Sequence, residues 1–313
     1  MSHSVASAAP YDEIFARIER RRIIVPAGFH MDSVGQLTRF DHMLPTAYVR
    51  RMRAEALKPY PMAPNPPPPE NPHRYELGAV LYAALSSRDR FTMIELGAGI
   101  APWCVTAACG LRALDPKPLL LVGVEAEPSR FAWMRQHLID NDLNPDAHIQ
   151  IQAAILPSDD WKPFALFPRG VPNFGGHRVV TDLAREHETS GVTESPHFDP
   201  GQDTFSLERI EAVTLEMVLD RLPAGPVDLV HMDIQGIEER VVAAAVGPLT
   251  ERVRHLAIGT HSVAIDQGLR ELLSGQGWTL HFALESLAMN HVGDAMVDLS
   301  MDDGFQHWIN SRL

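Results

Sequence analysis

FTMIELGAGIAPW, residues 91–103, is the stretch of the chain that decides the fold. An apolar run enters a turn that carries Gly97 and Gly99, and a helix is predicted to begin near Pro102. A buried strand, a tight glycine turn and a helix N-terminus are typical, in this order, of open α/β sheets that bind nucleotide-like cofactors. The glycines let the backbone approach a ligand that a Cβ atom would exclude.

The glycine turn does not match a dinucleotide fingerprint. Pro102 takes the place of the third glycine of G-x-G-x-x-G, and an acidic residue precedes the turn. E-x-G-x-G without that third glycine resembles the first motif of S-adenosylmethionine (SAM) methyltransferases, whose cofactor has no pyrophosphate to place at the helix end. The resemblance implies that the turn residues bind SAM: Glu95, Gly97, Ala98 and Gly99. A purely structural glycine turn is the alternative.

The bulk composition is that of an ordinary globular protein. The 313 residues suggest about two domains, or one domain with additions. The formal net charge of −13 disfavours phosphate backbones, so we expect no nucleic-acid partner. No secretory pattern begins the chain and no apolar run approaches the ~20 residues that cross a bilayer, so we expect no membrane association.

The two cysteines indicate a reducing compartment. Cys104 and Cys109 lie five residues apart on one predicted helix, about 140° from each other around its axis. They cannot easily form a disulfide bond and lack the spacing of zinc ligands. We therefore expect a cytoplasmic protein.

Two regions follow from the pattern along the chain. Residues 1–73 are predicted to be an extension with short helices at Tyr11–Arg22 and Thr46–Leu57, ending in the proline-rich stretch Pro61–His73. That stretch is either a spacer or a strap packed across the next domain. Residues 74–313 are predicted to be the cofactor-binding domain.

In the second region, predicted strands alternate with predicted helices, which favours a mostly parallel sheet with helices on both faces. The predicted strands are Phe91–Leu96, Leu119–Glu125, His148–Ala153, Val227–Ile234, His255–Thr260, Thr279–Leu284 and Ala295–Leu299. Residues 157–208 interrupt the alternation with prolines, glycines and aromatic residues. We predict a lid or substrate-binding insertion there, which includes Trp161; a disordered insertion is the alternative.

The carboxyl ends of strands two and three add cofactor candidates. Glu125 can accept both ribose hydroxyls, with Ala126 beside it and Glu127 as a second candidate. Gln152 and Ala153 could contact the adenine edge. The alternative for Glu125 is a solvated loop acid.

Strand four ends in HMDIQGIEE, residues 231–239. Asp233 follows an apolar strand, where a carboxylate is costly unless it has a partner. That partner could be substrate, a divalent cation or the neighbourhood of the sulfonium. Glu238 falls in the first turn of a helix, where the helix dipole alone would explain it. We predict that Asp233 and Glu238 belong to the catalytic site and bind either the acceptor or a divalent cation such as Mg²⁺.

Strand five ends at His261, which could act as the general base that takes a proton from a hydroxyl. Asp233 could orient its imidazole, as carboxylates do in catalytic triads. The chain contains 15 histidines, so a chance placement is the alternative.

Taken together, four motifs resemble the FkbM-type SAM-dependent methyltransferases over Tyr75 to Leu313. They are ELGAGIAPW, GVEAEPSRF with Asn141 downstream, VDLVHMDIQGIEE and IGTHS. The resemblance implies a Rossmann-like class I fold, with a seven-stranded sheet whose strand seven is antiparallel. It also implies methyl transfer to an oxygen of a sugar or natural product.

The strand-four motif departs from the family pattern K-x-D-x-E-G-x-E. His231 replaces the lysine and Gln235 replaces the first glutamate. If that glutamate holds a cation or a substrate hydroxyl in the family, Gln235 weakens the inference that this position does so here. We predict that Gln235, His231 and Trp161 contact the acceptor.

The sequence thus predicts a SAM-dependent O-methyltransferase with a small-molecule acceptor. A strictly Mg²⁺-dependent sugar methyltransferase is one alternative. An NAD-dependent oxidoreductase and a non-catalytic SAM-binding protein are the others. Homo-oligomerisation stays open.

Overall fold

The computed structural model describes residues 11–43, 60–70, 73–158, 162–169, 206–285 and 304–313. Several predicted features lie outside these ranges: Trp161, the helix at Thr46–Leu57, the strand at Ala295–Leu299 and residues 170–205 of the predicted lid. None of the helices in the described ranges has the length and apolar character needed to cross a membrane.

The strands of the described residues are, in chain order, β1 (Arg22–Val25), β2 (Phe29–Met31), β3 (Leu37–Arg39), β4 (Tyr60–Pro64), β5 (Phe91–Leu96), β6 (Leu119–Glu125), β7 (Ile149–Gln152), β8 (Ala154–Ile155), β9 (Phe164–Arg169), β10 (Ser206–Val213), β11 (Val227–Met232), β12 (Val253–Thr260), β13 (Trp278–Leu284) and β14 (Gly304–Asn310). The helices are α1 (Asp12–Ala16), α2 (His73–Ser86), α3 (Pro102–Leu114), α4 (Pro128–Asp140), α5 (Leu215–Leu219), α6 (Glu238–Ala244), α7 (Val246–Arg252) and α8 (Val263–Gly275). Short 3₁₀ turns occur at Phe40–His42 and Pro145–Ala147.

Seven strands form the central sheet in the order β13-β14-β12-β11-β5-β6-β7. Only β14 runs against its neighbours in this sheet, antiparallel to both β12 and β13. This order and the single reversed strand are those of the Rossmann-like methyltransferase fold, so the predicted fold class is confirmed. The reversed strand is Gly304–Asn310, close to the end of the chain.

The sheet forms because its central strands are mostly apolar. Every residue of β5 and of β11 is buried, as expected for parallel strands that are covered on both faces. One core lies between the sheet and helices α2 and α3, and a second lies on the opposite face with α6 and α8. The carboxyl ends of β5, β6, β11 and β12 therefore meet at one edge between these layers.

The N-terminal extension is less helical than predicted. The helix at Tyr11–Arg22 is confined to Asp12–Ala16, and the prediction is wrong beyond that point. The next segment forms β1, which pairs antiparallel with β4 of the proline-rich stretch. Ile23, Ile24 and Val25 are β-branched, and such side chains favour a strand over a helix.

The N-terminal strap, which we define as residues 29–42, packs against α4. The side chain of Asn141 accepts a hydrogen bond from the Leu37 N–H (2.7 Å) and donates one to the Leu37 carbonyl (2.8 Å). Arg39 donates two parallel hydrogen bonds to Asp140, at 2.6 and 2.7 Å. The extension is thus tied to the helix that follows β6.

The ends of the predicted lid are regular structure. β9 pairs antiparallel with β10, and β10 also pairs in parallel with β8. This small three-stranded sheet adjoins the carboxyl end of β7 through β8.

Candidate functional site

The glycine turn after β5 is shaped by close backbone contact. Gly97 has φ +70°, and a Cβ atom there would run into the carbonyl oxygen of Asp233. A side chain at this position would therefore push apart the turns that follow β5 and β11. Gly99 has φ +55°, and among the described residues no atom beyond its two chain neighbours lies within 4 Å of the place its Cβ would take. The turn thus presents bare backbone to an open space.

Glu125 joins the glycine turn to the end of β6. Its carboxylate accepts hydrogen bonds from the N–H groups of Gly99 (2.6 Å) and Glu127 (2.7 Å). Burial raises the pKa of Glu125, although these bonds oppose the change. Each carboxylate oxygen has two lone pairs, so both can still accept a hydroxyl. The geometry leaves the predicted ribose contact available.

Glu95 is placed differently from a free cofactor ligand. It is buried, and its carboxylate accepts hydrogen bonds from the N–H groups of Trp103 (3.3 Å) and Cys104 (2.8 Å). Burial raises its pKa to about 8. Since Ala101 offers no capping side chain, Glu95 caps the N-terminus of α3 instead. The partners of Glu95 named above thus lie in the first turn of α3, and a SAM contact stays a prediction.

The end of β7 brings the adenine candidates to the same edge. Gln152 is exposed, while Ala153 is buried and donates its N–H to the carbonyl of Glu125 (3.1 Å). Ala126 is partly buried against the small sheet. Ala98 is buried in the glycine turn and donates its N–H to the carbonyl of Val124.

A tight turn at residues 233–238 organises the end of β11. Gln235 and Gly236 have positive φ, +60° and +104°. The buried carboxylate of Glu238 accepts hydrogen bonds from the N–H groups of Ile234 and Gly236, each at 3.1 Å. Gln235 donates its side-chain amide to Asp233 (2.9 Å). Glu238 therefore does more than complement a helix dipole, because it fixes the turn that carries Asp233.

His261 lies between two carboxylates. Its Nδ1 is 2.9 Å from Oε1 of Glu238 and its Nε2 is 3.2 Å from Oδ1 of Asp233. Burial alone would lower the pKa of His261, but the two carboxylates outweigh burial and raise it to about 11. The contact with His261 holds the pKa of Asp233 below its usual value. The predicted general base is thus an imidazolium at neutral pH.

The same three side chains are the group in the described residues that could hold a metal ion. One ligand atom from each lies within 4.8 Å of the others. However, the ring of His261 occupies the space between the carboxylates, and Mg²⁺ prefers oxygen ligands. A cation would have to displace the imidazolium, so the residues as placed do not fit a Mg²⁺ site.

His231 is buried two residues before Asp233, with 3% of its surface exposed. Neither of its ring nitrogens has a hydrogen-bond partner in the described part of the chain. Its ring lies 5.6 Å from that of Trp103, centroid to centroid. Burial lowers the pKa of His231, so its imidazole is neutral.

Sequence reasoning missed Trp103 and His137. The position of Trp103, directly after Pro102 in the first turn of the helix that follows the glycines, could have indicated that it lies near the site. His137 donates from Nδ1 to the carbonyl of Ile100 (2.9 Å) and accepts at Nε2 from the hydroxyl of Thr38 (3.2 Å). It thus connects the glycine turn to the N-terminal strap, and no local pattern indicates such a contact.

Comparisons with known proteins agree on one class. No protein-family model matches the chain. A protein of Jannaschia sp. (strain CCS1) that is provisionally named a methyltransferase is 27% identical over 226 residues, which cover 71% of this chain and 74% of that protein.

Solved structures give remote matches. A provisionally named rRNA methylase from Clostridium thermocellum has a TM-score of 0.41 and 10% identity over 77% of this chain and 96% of the other. The precorrin-6y C5,15-methyltransferase of Geobacter metallireducens GS-15 has a TM-score of 0.38 and 14% identity over 74% of this chain and 86% of the other. At such TM-scores, the fold assignment rests on the strand order of the central sheet.

Proposed function

We propose that this chain is a SAM-dependent methyltransferase that transfers the methyl group to a hydroxyl of a sugar or natural-product acceptor. The observation that carries the proposal is the joined pair of turns at Gly99 and Glu125, on the central strands of a sheet with the methyltransferase strand order. The Jannaschia relative supports the same class of activity. The FkbM type and the oxygen acceptor rest on the motifs of the sequence.

The chain's own residues suit the parts of SAM. Glu125 would accept the ribose hydroxyls, and Gln152 with the backbone of Ala153 would contact the adenine. The glycine turn would lie along the methionyl part, because Gly99 offers backbone and no side chain. SAM supplies an activated methyl group on a sulfonium, so the protein needs to bind and orient the two reactants.

The trio Asp233–His261–Glu238 would handle the acceptor hydroxyl. The side chain of Asp233 is 50% exposed, whereas Glu238 is buried, so Asp233 is the carboxylate that faces the cleft. Asp233 would accept the hydroxyl hydrogen and orient the oxygen. SAM would supply the methyl group and leave as SAH, and Asp233 would receive the hydroxyl proton. His261 keeps its proton and holds Asp233 in place.

This assignment differs from the role predicted for His261 from sequence. The contacts put a carboxylate on each nitrogen, and Glu238 rather than Asp233 is the buried one that fixes the ring. His261 and Glu238 are then positioning residues, and Asp233 is the catalytic residue.

Calorimetric titration with S-adenosylhomocysteine (SAH) and, separately, with NAD⁺ tests the cofactor. We expect SAH to bind and to raise the melting temperature, since a ligand at 100 times its Kd stabilises by about 2.7 kcal/mol. Glu125→Gln should weaken SAH binding, and Glu271→Gln on α8 is the matched control. Binding of NAD⁺ without SAH would reject the proposal.

Methyl transfer is tested by mass gain on a panel of glycosides and polyketide alcohols. Asp233→Asn should keep SAH binding and lose transfer. A variant that keeps full transfer would exclude Asp233 as the group that receives the proton. Two results together favour the non-catalytic alternative. The unmodified protein binds SAH but methylates no compound of the panel, and cells that carry Asp233→Asn grow as well as cells that carry the unmodified protein.

A further inference from the structure

Beside the glycine turn, a second set of side chains lies at the carboxyl edge of the sheet. We call it the edge cluster: His73, Glu76, Trp103, His231 and Asp233. The first two lie in the first turn of α2, Trp103 lies in the first turn of α3, and the last two lie at the end of β11. The reaction described above uses only Asp233 among them.

The innermost member is His231. A buried polar group without a partner is costly, and such groups in native proteins call for an explanation. Strand alternation puts His231 and Asp233 on the same face, roughly 6–7 Å apart along the strand. Both ring nitrogens of His231 are closed to solvent, so an acceptor whose hydroxyl lies at Asp233 gains a second hydrogen-bonding position at His231 when the indole of Trp103 moves aside.

Aromatic rings lead from the surface to His231. The side chain of His73 is 69% exposed, and its ring centroid is 6.4 Å from that of Trp103. The indole is in turn 5.6 Å from the imidazole of His231, at an interplanar angle of 37°. Flat faces of this kind suit a ring-shaped ligand.

Carboxylates outnumber protonated imidazoles near this path. Glu76 and Asp233 act on His231, and the imidazolium of His261 lies between Asp233 and a third carboxylate, Glu238. The hydrogen bond with Glu76 raises the pKa of His73. Oε2 of Glu76 lies 3.8 Å from Nδ1 of His73. Carboxylates repel a negatively charged ligand, so an anionic acceptor is disfavoured at this site.

We propose that the edge cluster is the acceptor subsite, and that it takes a ring with two hydrogen-bonding groups and no negative charge. This inference rests on the proposed function. One hydroxyl of the acceptor lies at Asp233 and is methylated, and the second group bonds to His231. Trp103 covers the ring, while Glu76 and Asp233 exclude carboxylates and phosphates.

Three phenols of similar size test the charge rule: catechol, tyramine and 4-hydroxybenzoate. Ligand-observed NMR titrations onto the SAH-saturated protein compare their affinities. We expect catechol and tyramine to bind about tenfold or more tightly than 4-hydroxybenzoate. Glu76→Gln should narrow that ratio, and Glu271→Gln should leave it unchanged. Equal binding of the three probes, or binding of none of them, overturns the inference.

Variants of His231 separate binding from folding. His231→Leu removes an unpaired buried imidazole, so its melting temperature should equal or exceed that of the unmodified protein. Its affinity for catechol should fall about threefold or more, the loss of one hydrogen bond, and His231→Gln should recover part of it. Unchanged catechol affinity in His231→Leu overturns the inference. SAH is titrated into every sample. Failure to bind SAH rejects the proposed function. If SAH binds but the phenols do not show the expected affinities, only the acceptor subsite is rejected.

Discussion

We call the hydrogen bonds between the side chain of Asn141 and Leu37 of the N-terminal strap the clamp. Their loss allows a quantitative prediction of the free energy of unfolding. Asn141→Ala removes a buried amide that bonds both backbone groups of Leu37, at 2.7 and 2.8 Å, and the carbonyl of His137 at 2.9 Å. The two groups of Leu37 lose their partners. At about 1–2 kcal/mol for each group left unpaired, the free energy of unfolding should fall by about 2–4 kcal/mol.

Urea unfolding followed by circular dichroism measures the global loss, and hydrogen exchange locates it. We expect faster exchange over residues 29–42 through local opening, and a fall in the protection of β11 no larger than the loss of global stability. Asn141→Asp keeps an acceptor for the Leu37 N–H but turns a buried carboxylate oxygen towards the carbonyls of Leu37 and His137, so it should cost at least as much as Asn141→Ala. A loss below about 1 kcal/mol, or unchanged exchange in the strap, would refute this account of the clamp.

Three further predictions concern the turns and the charges. Gly97→Ala should destabilise the fold by more than the ~1–2 kcal/mol that a left-handed conformation costs an alanine, because the added methyl also meets the Asp233 carbonyl. Urea unfolding measures the loss of unfolding free energy, and a loss under about 1 kcal/mol would contradict the prediction. The pKa of His261 is raised from 6.5 to about 11, so its ion pairs stabilise the fold fully below about pH 6.5 and this stabilisation is lost as the pH rises towards 11. The difference in unfolding free energy between the unmodified protein and His261→Gln should therefore shrink over that range, and a difference independent of pH would count against the ion pairs. Arg39→Ala should lower the free energy of unfolding by about 1 kcal/mol at low salt and by less at high salt, because it removes a bidentate ion pair with Asp140 on a partly exposed surface. Equal losses at both salt concentrations, measured by urea unfolding, would contradict this prediction.

The strands of the sheet were predicted from apolar runs, so the prediction missed β14, which contains buried polar residues. β14 reads GFQHWIN and is almost wholly buried, yet Gln306 and His307 break its apolar pattern. Gln306 donates its amide to the backbone and carboxylate of Asp266, and His307 contacts the hydroxyl of Tyr11 (2.7 Å). Partners this distant in sequence satisfy the polar groups, and hydropathy along a strand cannot indicate them.

The site was predictable in position and only partly in chemistry. The rule that ligands meet the carboxyl ends of strands placed Gly99, Glu125 and Asp233 at one edge, and the structure brings them there. The protonation of His261 was not predictable, because it depends on which carboxylates reach the ring.

The state of His261 depends on the turn before α6. Positive φ at Gln235 and Gly236 folds the chain back, so that the carboxylate of Glu238 is buried against the turn N–H groups. From there Glu238 reaches Nδ1 of His261, and Asp233 is left to meet Nε2. With one carboxylate, the imidazole would orient and titrate as in a triad; with two, it retains its proton. The left-handed conformation of Gln235, a non-glycine residue beside Asp233, therefore helps to keep His261 protonated, because it lets Glu238 reach the ring.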